Sequence, residues 1–489
     1  MKIKILAGIA AVTLFGSCSG DFLDADVNEY LTKNRKEELV KTSPKSIALL
    51  VNGSLDGVYN LMIDNGLNGN TSHDYFGLKS IQLATDLTGE DVVQDVHHHF
   101  GFDYNVDNRS ATYRRTRLMW ALFYKMVSSS NSILDDYFAV ETTDKDLLAL
   151  KSQALAIRGI AYYHLVNLYQ QTYKGNEDKW GVPLVLKPTD DKKPRAKVSE
   201  VYKQITSDLR FAVENGAITS TKKDADKLVA AAYLAKAYAQ MEKWDSVEVY
   251  SKIAINGATL MSQATYENDF VSISNPEWLW GNDINGETTS LYASFYSHAD
   301  NTIDGYASLG VTKSIHNKLY EKVNNTDVRK KLFVDNVLFP SIAAKYSKLK
   351  NYVGLKYKSP ADFTGDYCYI RVADPYLLLA EAQVEQNKLA EAKATLESLI
   401  ATRQTGYSAA AFDSQDALRQ EIRLQRRIEL WCEGSMFFDF KRWKIGIVRN
   451  VAGTNHRTKI DVPAGDKRWV YQIPQGEIDA NPNIQEQNP

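Results

Sequence analysis

The stretch LRQEIRLQRRIELWCEGSMFFDFKRW, residues Leu418–Trp443, carries the densest pattern in the chain. Leu418, Ile422, Ile428 and Leu430 recur at helical spacing among Glu421, Arg423, Arg426, Arg427, Glu429 and Glu433, the mark of an amphipathic helix. Glu429 and Glu433 stand one turn apart and invite comparison with a glycosidase acid/base pair. Such pairs face each other across a substrate cleft at about 5–10 Å. Arginines this close hold both carboxylates ionised, which disables a general acid. The reading is therefore structural: interlocking ion pairs fix the helix end against Asp439 and Arg442.

Outward from this stretch, other segments repeat the helical period. TYRRTRLMWALFYKMVSSSNSIL and DKDLLALKSQALAIRGIAYYHLVNLYQQTY both place apolar residues three and four apart. LAKAYAQMEKWDSVEVYSKIA, from Leu234, and LAEAQVEQNKLAEAKATLESLI, from Leu379, lie over each other, with Trp244 matching Leu389 and Val247 matching Ala392. Each resembles a tetratricopeptide helix pair, in which small residues let helices approach closely. Their spacing rules out a simple tandem array, so a helical superhelix interrupted by insertions is expected. Between the copies, NPEWLWGNDI and GDYCYIRVAD read as short strands, with Trp278 and Trp280 directed to the core. NGETTSLYASFYSHADNTIDGYASLG reads as a long loop rich in Tyr, Ser, Asn and Gly, of the length that usually carries function.

The 489 residues include 58 basic and 60 acidic side chains, a formal net charge of -2. That balance, without a Lys/Arg-rich face, argues against nucleic acid. At the N-terminus, two lysines precede the apolar run Ile5–Phe15 and the small residues Gly16 and Ser17 before Cys18. The run is too short to span a bilayer, which takes about 20 residues, and it reads as an export signal over 1–17. Gly-Ser-Cys resembles a bacterial lipobox, with Phe15 where Leu is more usual, so Cys18 is the expected lipidation site. The polar segment 18–45 reads as a lipid-linked tether, either extended or lying as an arm on the body. Two further cysteines, Cys368 and Cys432, read either as unpaired buried thiols or as one pair formed in an oxidising compartment.

RRIELWCEGSMFFDFKRW resembles the closing motif of the SusD/RagB family of Bacteroidetes outer-membrane lipoproteins. Glu429, Glu433, Gly434, Asp439, Arg442 and Trp443 match it as a structural signature, while Met436 stands where an arginine is usual. Further segments follow in the family's order, from QALAIRGIAYYHLVNLYQQTYKGNEDKWGVPLV through YIRVADPYLLLAEAQVEQNKLAEAKATLESLIATR to IPQGEIDANPNIQEQNP. The resemblance implies a mostly α fold, four tetratricopeptide-like helix pairs forming an α-α superhelical body, with an irregular loop-rich region and a few short strands. It implies one compact domain over 46–489, with an N-terminal part about 46–225 and a C-terminal part about 260–489. It further implies a non-enzymatic protein without cofactor. The protein would face the cell exterior on the outer membrane, held by its lipid alone, and present an oligosaccharide to a TonB-dependent SusC-like transporter. A peptide-binding uptake lipoprotein of the same family is the alternative, and a surface glycosidase a more distant one.

Two stretches are candidates for the ligand face, where aromatic rings stack on sugars and polar groups bind hydroxyls. VHHHFGFDYN contributes His99, Phe100 and Tyr104, and the loop contributes Tyr292, Phe295, Tyr296, Asp304 and Tyr306. The consecutive histidines His97–His99 do not converge on one ion from a regular element, so no metal site is assigned.

Overall fold

The computed structural model describes residues 32–67 and 72–489. The signal over 1–17 and Cys18 lie outside the described residues. Eight helices stack in chain order, each packed on the next: Arg114–Tyr137, Lys145–Tyr169, Val198–Asn215, Lys227–Gln240, Trp244–Ala254, Ala373–Glu385, Leu389–Ile400 and Gln415–Glu429. These are the four expected helix pairs of a superhelix. Helix Pro44–Leu61 packs across the first pair.

The two segments that matched in sequence become neighbours in space. Helix Trp244–Ala254 packs directly on helix Ala373–Glu385, and everything between them is an excursion from the stack. Their inter-helix turns are alike. Glu242 and Asn387 both take the left-handed conformation, at φ 55° and 58°. The following lysines, Lys243 and Lys388, donate their backbone N–H to the carbonyls of Tyr238 and Gln383 at 3.0 and 2.9 Å. Val247 and Ala392 are both fully buried, as close helix packing requires.

The expected strands Trp278–Asn282 and Tyr367–Arg371 pair antiparallel within the excursion, and Trp278 and Trp280 are buried. Val92–Gln94 pairs with Lys313–Ile315, tying the start of the histidine stretch to the end of the Tyr-rich segment. Two expectations are sharpened. Of the two readings of segment 18–45, the arm lying on the body holds for Lys33–Thr42, a helix capped by Thr32. It is held to helix Arg114–Tyr137 by Lys33–Asp135 and Lys36–Asp136 at 2.8 and 2.9 Å. The Tyr-rich segment is not all loop, because Phe295–Ala299 forms a helical turn capped by the Ser294 hydroxyl.

The closing motif is structural: Arg426 holds the helix end to Asp439 at 2.7 Å, as expected, while the two glutamates pair with residues outside the motif. Glu429 lies among Arg329, Arg371 and Arg403 at 3.2, 3.1 and 3.0 Å. Glu433 binds Arg371 and Lys356, and Glu277 completes the buried group through Arg371 and Arg403. Arg442 binds the expected Asp439 at 2.7 Å and also Glu381 at 2.6 Å, and Trp443 Nε1 donates to the same Glu381. Burial pushes the Glu429 carboxyl up, but the three arginines outweigh it and hold the group well below the ordinary range, which leaves it ionised. Gly434 is required by its site: φ is +83°, and a Cβ there would sit 2.5 Å from Gln82. Its N–H donates to Asp86 Oδ2 at 2.6 Å.

Candidate functional site

Tyr306 is where the two candidate stretches meet. Its ring centroid lies 4.8 Å from His99, 4.9 Å from His98 and 6.0 Å from Tyr292. It stacks on His298 at 4.9 Å, and its hydroxyl lies 2.6 Å from His73 Nδ1. The chain reaches this point through a close backbone approach. Tyr306 N donates to Ser297 Oγ and Ala307 N to the Ser297 carbonyl, at 3.3 and 2.8 Å. A Cβ on Gly305 would come within 2.8 Å of the Ser297 backbone, so only glycine allows the contact.

Beside this cluster opens a cleft of about 490 Å³, lined by Asp74, His99, Phe102, Asp103, Asn108, Tyr113, Arg114 and Arg115. That volume falls within the range of small-molecule sites. Phe102 and Tyr113 are 53% and 44% exposed, and Tyr292 nearby is 45% exposed. Exposed rings gathered at one cleft, rather than scattered singly, mark a candidate binding surface.

The cleft's charges are fixed by mutual pairing. Arg115, buried, donates Nε to Asp103 Oδ1 and Nη2 to Asp74 Oδ2 at 3.2 and 3.3 Å. Asn108 Nδ2 donates to Asp103 Oδ1 at 2.6 Å. Arg114, half exposed at the N-terminus of the first stacked helix, reaches Asp74 from the cleft side. Burial pushes the Asp74 carboxyl up, but Arg115, Ser72 and Arg114 prevail and hold it below its ordinary value. Burial and then His98 push His99 down to about 4, so its imidazole is neutral near pH 7. Among the described residues no group of three or more His, Cys, Asp or Glu side chains is arranged to hold a metal ion.

The candidate residues divide. His99, Tyr306, Tyr292 and Asp304 stand at or near the surface, the last two exposed. Phe100, Tyr104, Phe295 and Tyr296 are buried, which corrects their assignment to an open ligand face. Phe100 packs against Phe76 and His298 under the Arg115 guanidinium. Tyr104 binds His456 Nδ1 through its hydroxyl at 2.7 Å. Phe295 packs on Tyr357 at 4.9 Å, and the Tyr296 hydroxyl donates to the Asp366 carbonyl. The reason lies in the short helix Gly101–Asn105. Phe100 and Tyr104 are four residues apart and share its inner side, leaving Phe102 between them to face out. Phe102, Tyr113, Arg114 and Asp74 went unread, although the helical spacing within HFGFDYN holds the signal for the first.

Residues 256–489 match the SusD family, and residues 41–239 match a SusD-like family described as starch-binding associating with outer membrane. A helical superhelix with this looped-out excursion is thus a known class of fold. The chain belongs to the SusD family. A SusD-like carbohydrate binding protein from Bacteroides vulgatus superposes with a TM-score of 0.77 at 26% identity, over 89% of this chain and 97% of that one. SusD-like protein P2 of Formosa agariphila is 22% identical over 413 residues, 76% of this chain and 79% of its own. Surface glycan-binding protein A of Bacteroides fluxus shares the fold, with a TM-score of 0.67 at 16% identity over 90% of this chain and 98% of that one.

Proposed function

We propose that this protein is a glycan-binding lipoprotein of the outer cell surface, not an enzyme, and that it hands oligosaccharide to a SusC-like TonB-dependent transporter. One observation carries the reading: His99, Phe102 and Tyr113 line one cleft beside the Tyr306–Tyr292 cluster. Rings of this kind stack on sugar faces, and the polar groups around them bind hydroxyls. Family membership and the similarity to a protein described as carbohydrate binding support the ligand class. The Gly-Ser-Cys sequence at residues 16–18 supports lipid anchoring at Cys18. The ionised, arginine-bound state of Glu429 supports a binding role over hydrolysis.

A glycan array probed with the purified protein, followed by calorimetry on the glycans it selects, tests this. Binding without release of shorter sugars is expected. Binding confined to peptides would keep an uptake role and overturn the sugar assignment. Cleavage of a bound glycan by pure protein would overturn the non-enzymatic reading.

A further inference from the structure

A second cavity, of about 320 Å³, shares no lining residue with the cleft. It lies between the loop after helix Lys145–Tyr169 and the chain that follows helix Met436–Trp443. Three lysines line it, Lys174, Lys441 and Lys444, with Gln171, Thr172 and Asn176, and no carboxylate does. In a chain with slightly more acidic than basic residues, a recess lined by one sign of charge stands out. Such a recess concentrates the field and favours the opposite charge within it.

The lysines differ in what they have left to give. Lys441 Nζ is spent on the carbonyls of Asn167, Gln170 and Trp469, closing the C-terminal end of helix Lys145–Tyr169. It serves as wall. Among the described residues Lys174 has no carboxylate partner, and Lys444 has only Glu242 at 3.8 Å, too far for a hydrogen bond. Lys444 follows its helix in the left-handed conformation at φ 54°, and its side chain is exposed. The accessible apolar part of the lining comes from Ile445, half-buried, and Ala464, exposed, with Phe440 and Trp469 buried behind the wall.

We infer that this cavity is a second binding site, for a small molecule or headgroup bearing a phosphate, sulfate or carboxylate. The anionic group pairs with Lys174 and Lys444, and the body of the ligand rests against Ile445 and Ala464. The volume exceeds what a bare ion needs, which is why an ester is the better probe than the free ion.

Calorimetry with glucose 6-phosphate against glucose tests the site at low ionic strength, where screening is weak. The phosphate ester is expected to bind on the order of millimolar, with glucose at least tenfold weaker. K174E and K444E should each weaken the ester at least tenfold, while K348A, at an exposed lysine elsewhere, leaves it unchanged. Flotation with phosphatidylglycerol against phosphatidylcholine vesicles separates the sources. Capture on the anionic vesicles, lost in K174E and K444E, identifies a lipid headgroup, and binding of the free ester alone identifies a soluble ligand; either upholds the site. No saturable binding of ester or anionic vesicle, or equal binding by wild type and both charge-reversed variants, overturns it.

Discussion

Arg371 holds Glu433 by both carboxylate oxygens, Nε to Oε2 at 2.9 Å and Nη2 to Oε1 at 2.6 Å, across 62 residues of chain. Lys356 reaches the same carboxylate from a third element. The strand that ends the excursion is thereby locked to the end of the last stacked helix.

Glu433→Gln leaves Arg371 and Lys356 short of a charge in a buried place. The expected loss is about 3–5 kcal/mol of stability, read from denaturant unfolding, with ligand affinity kept in the folded protein. Burial pushes the Glu433 carboxyl up, but Arg371 and Lys356 outweigh it and hold it below its ordinary value. Its contribution is therefore present above the unfolded-state pKa and disappears as pH falls through the folded one. A variant as stable as wild type near pH 7 would show that the pair contributes little.

His164 should set part of the acid limb. It is buried against Phe123 at 4.8 Å, and neither ring nitrogen has a hydrogen-bond partner. Burial pushes it down to about 3. Between the ordinary histidine value of about 6.5 and that point, the unfolded chain binds a proton that the folded chain refuses. Stability then falls with falling pH by about 1 kcal/mol per pH unit. His164→Phe is expected to be near neutral in stability at pH 7 and to flatten this slope at pH 5. An unchanged slope in urea titrations would assign the acid sensitivity to other groups.

The open and buried rings should separate cleanly. Phe102→Ala, Tyr113→Ala and Tyr306→Ala are each expected to weaken an array-selected glycan by about 0.5–1.5 kcal/mol, by analogy with aromatic pairs, with the first two melting near wild type and Tyr306→Ala, which also loses its stacking on His298, melting lower. Phe100→Ala and Tyr296→Ala are expected to cost about 3–5 kcal/mol of stability. Calorimetry beside thermal melts checks both. Unaltered affinity in all three of the first set would remove the cleft from the binding account.

Cys368 and Cys432 are free, and burial pushes both thiols up to about 12. Neither should react with a disulfide reagent at pH 8 in the native protein, and both should react once it is unfolded. A thiol count of zero after unfolding would mean that they had paired.

Cys18→Ser should move the protein from the membrane fraction to the soluble one, or leave it unprocessed. Wild-type protein with no acyl group on Cys18 would dismiss the lipid anchor.

The helix pairs were legible because alanine and bulky residues alternate at fixed places, as at Val247 and Ala392, whatever lies between the copies. The paired strands at Trp278 and Tyr367 were legible for a similar local reason. Helix Lys33–Thr42 was not, because it buries only Val40 and so has no apolar period to read. The partners of Glu429 and Glu433 were not, because charge complementarity offers many choices and only the fold selects among them. At the cleft, the two stretches that meet at Tyr306 were visible as aromatic runs. Which ring faces out was decided by a five-residue helix, too short for a period to reveal.

The excursion between Ala254 and Ala373 leaves the stack and returns to the place it left. The entropy of closing such a loop grows only logarithmically with its length, about 0.6 kcal/mol for each doubling. Exposed loops within the excursion can therefore lengthen with little change in the stability of the scaffold, so long as Glu277, Arg329 and Arg371 keep their buried pairs. One stack of helices can thus carry binding surfaces of very different size, each evolving at its own pace.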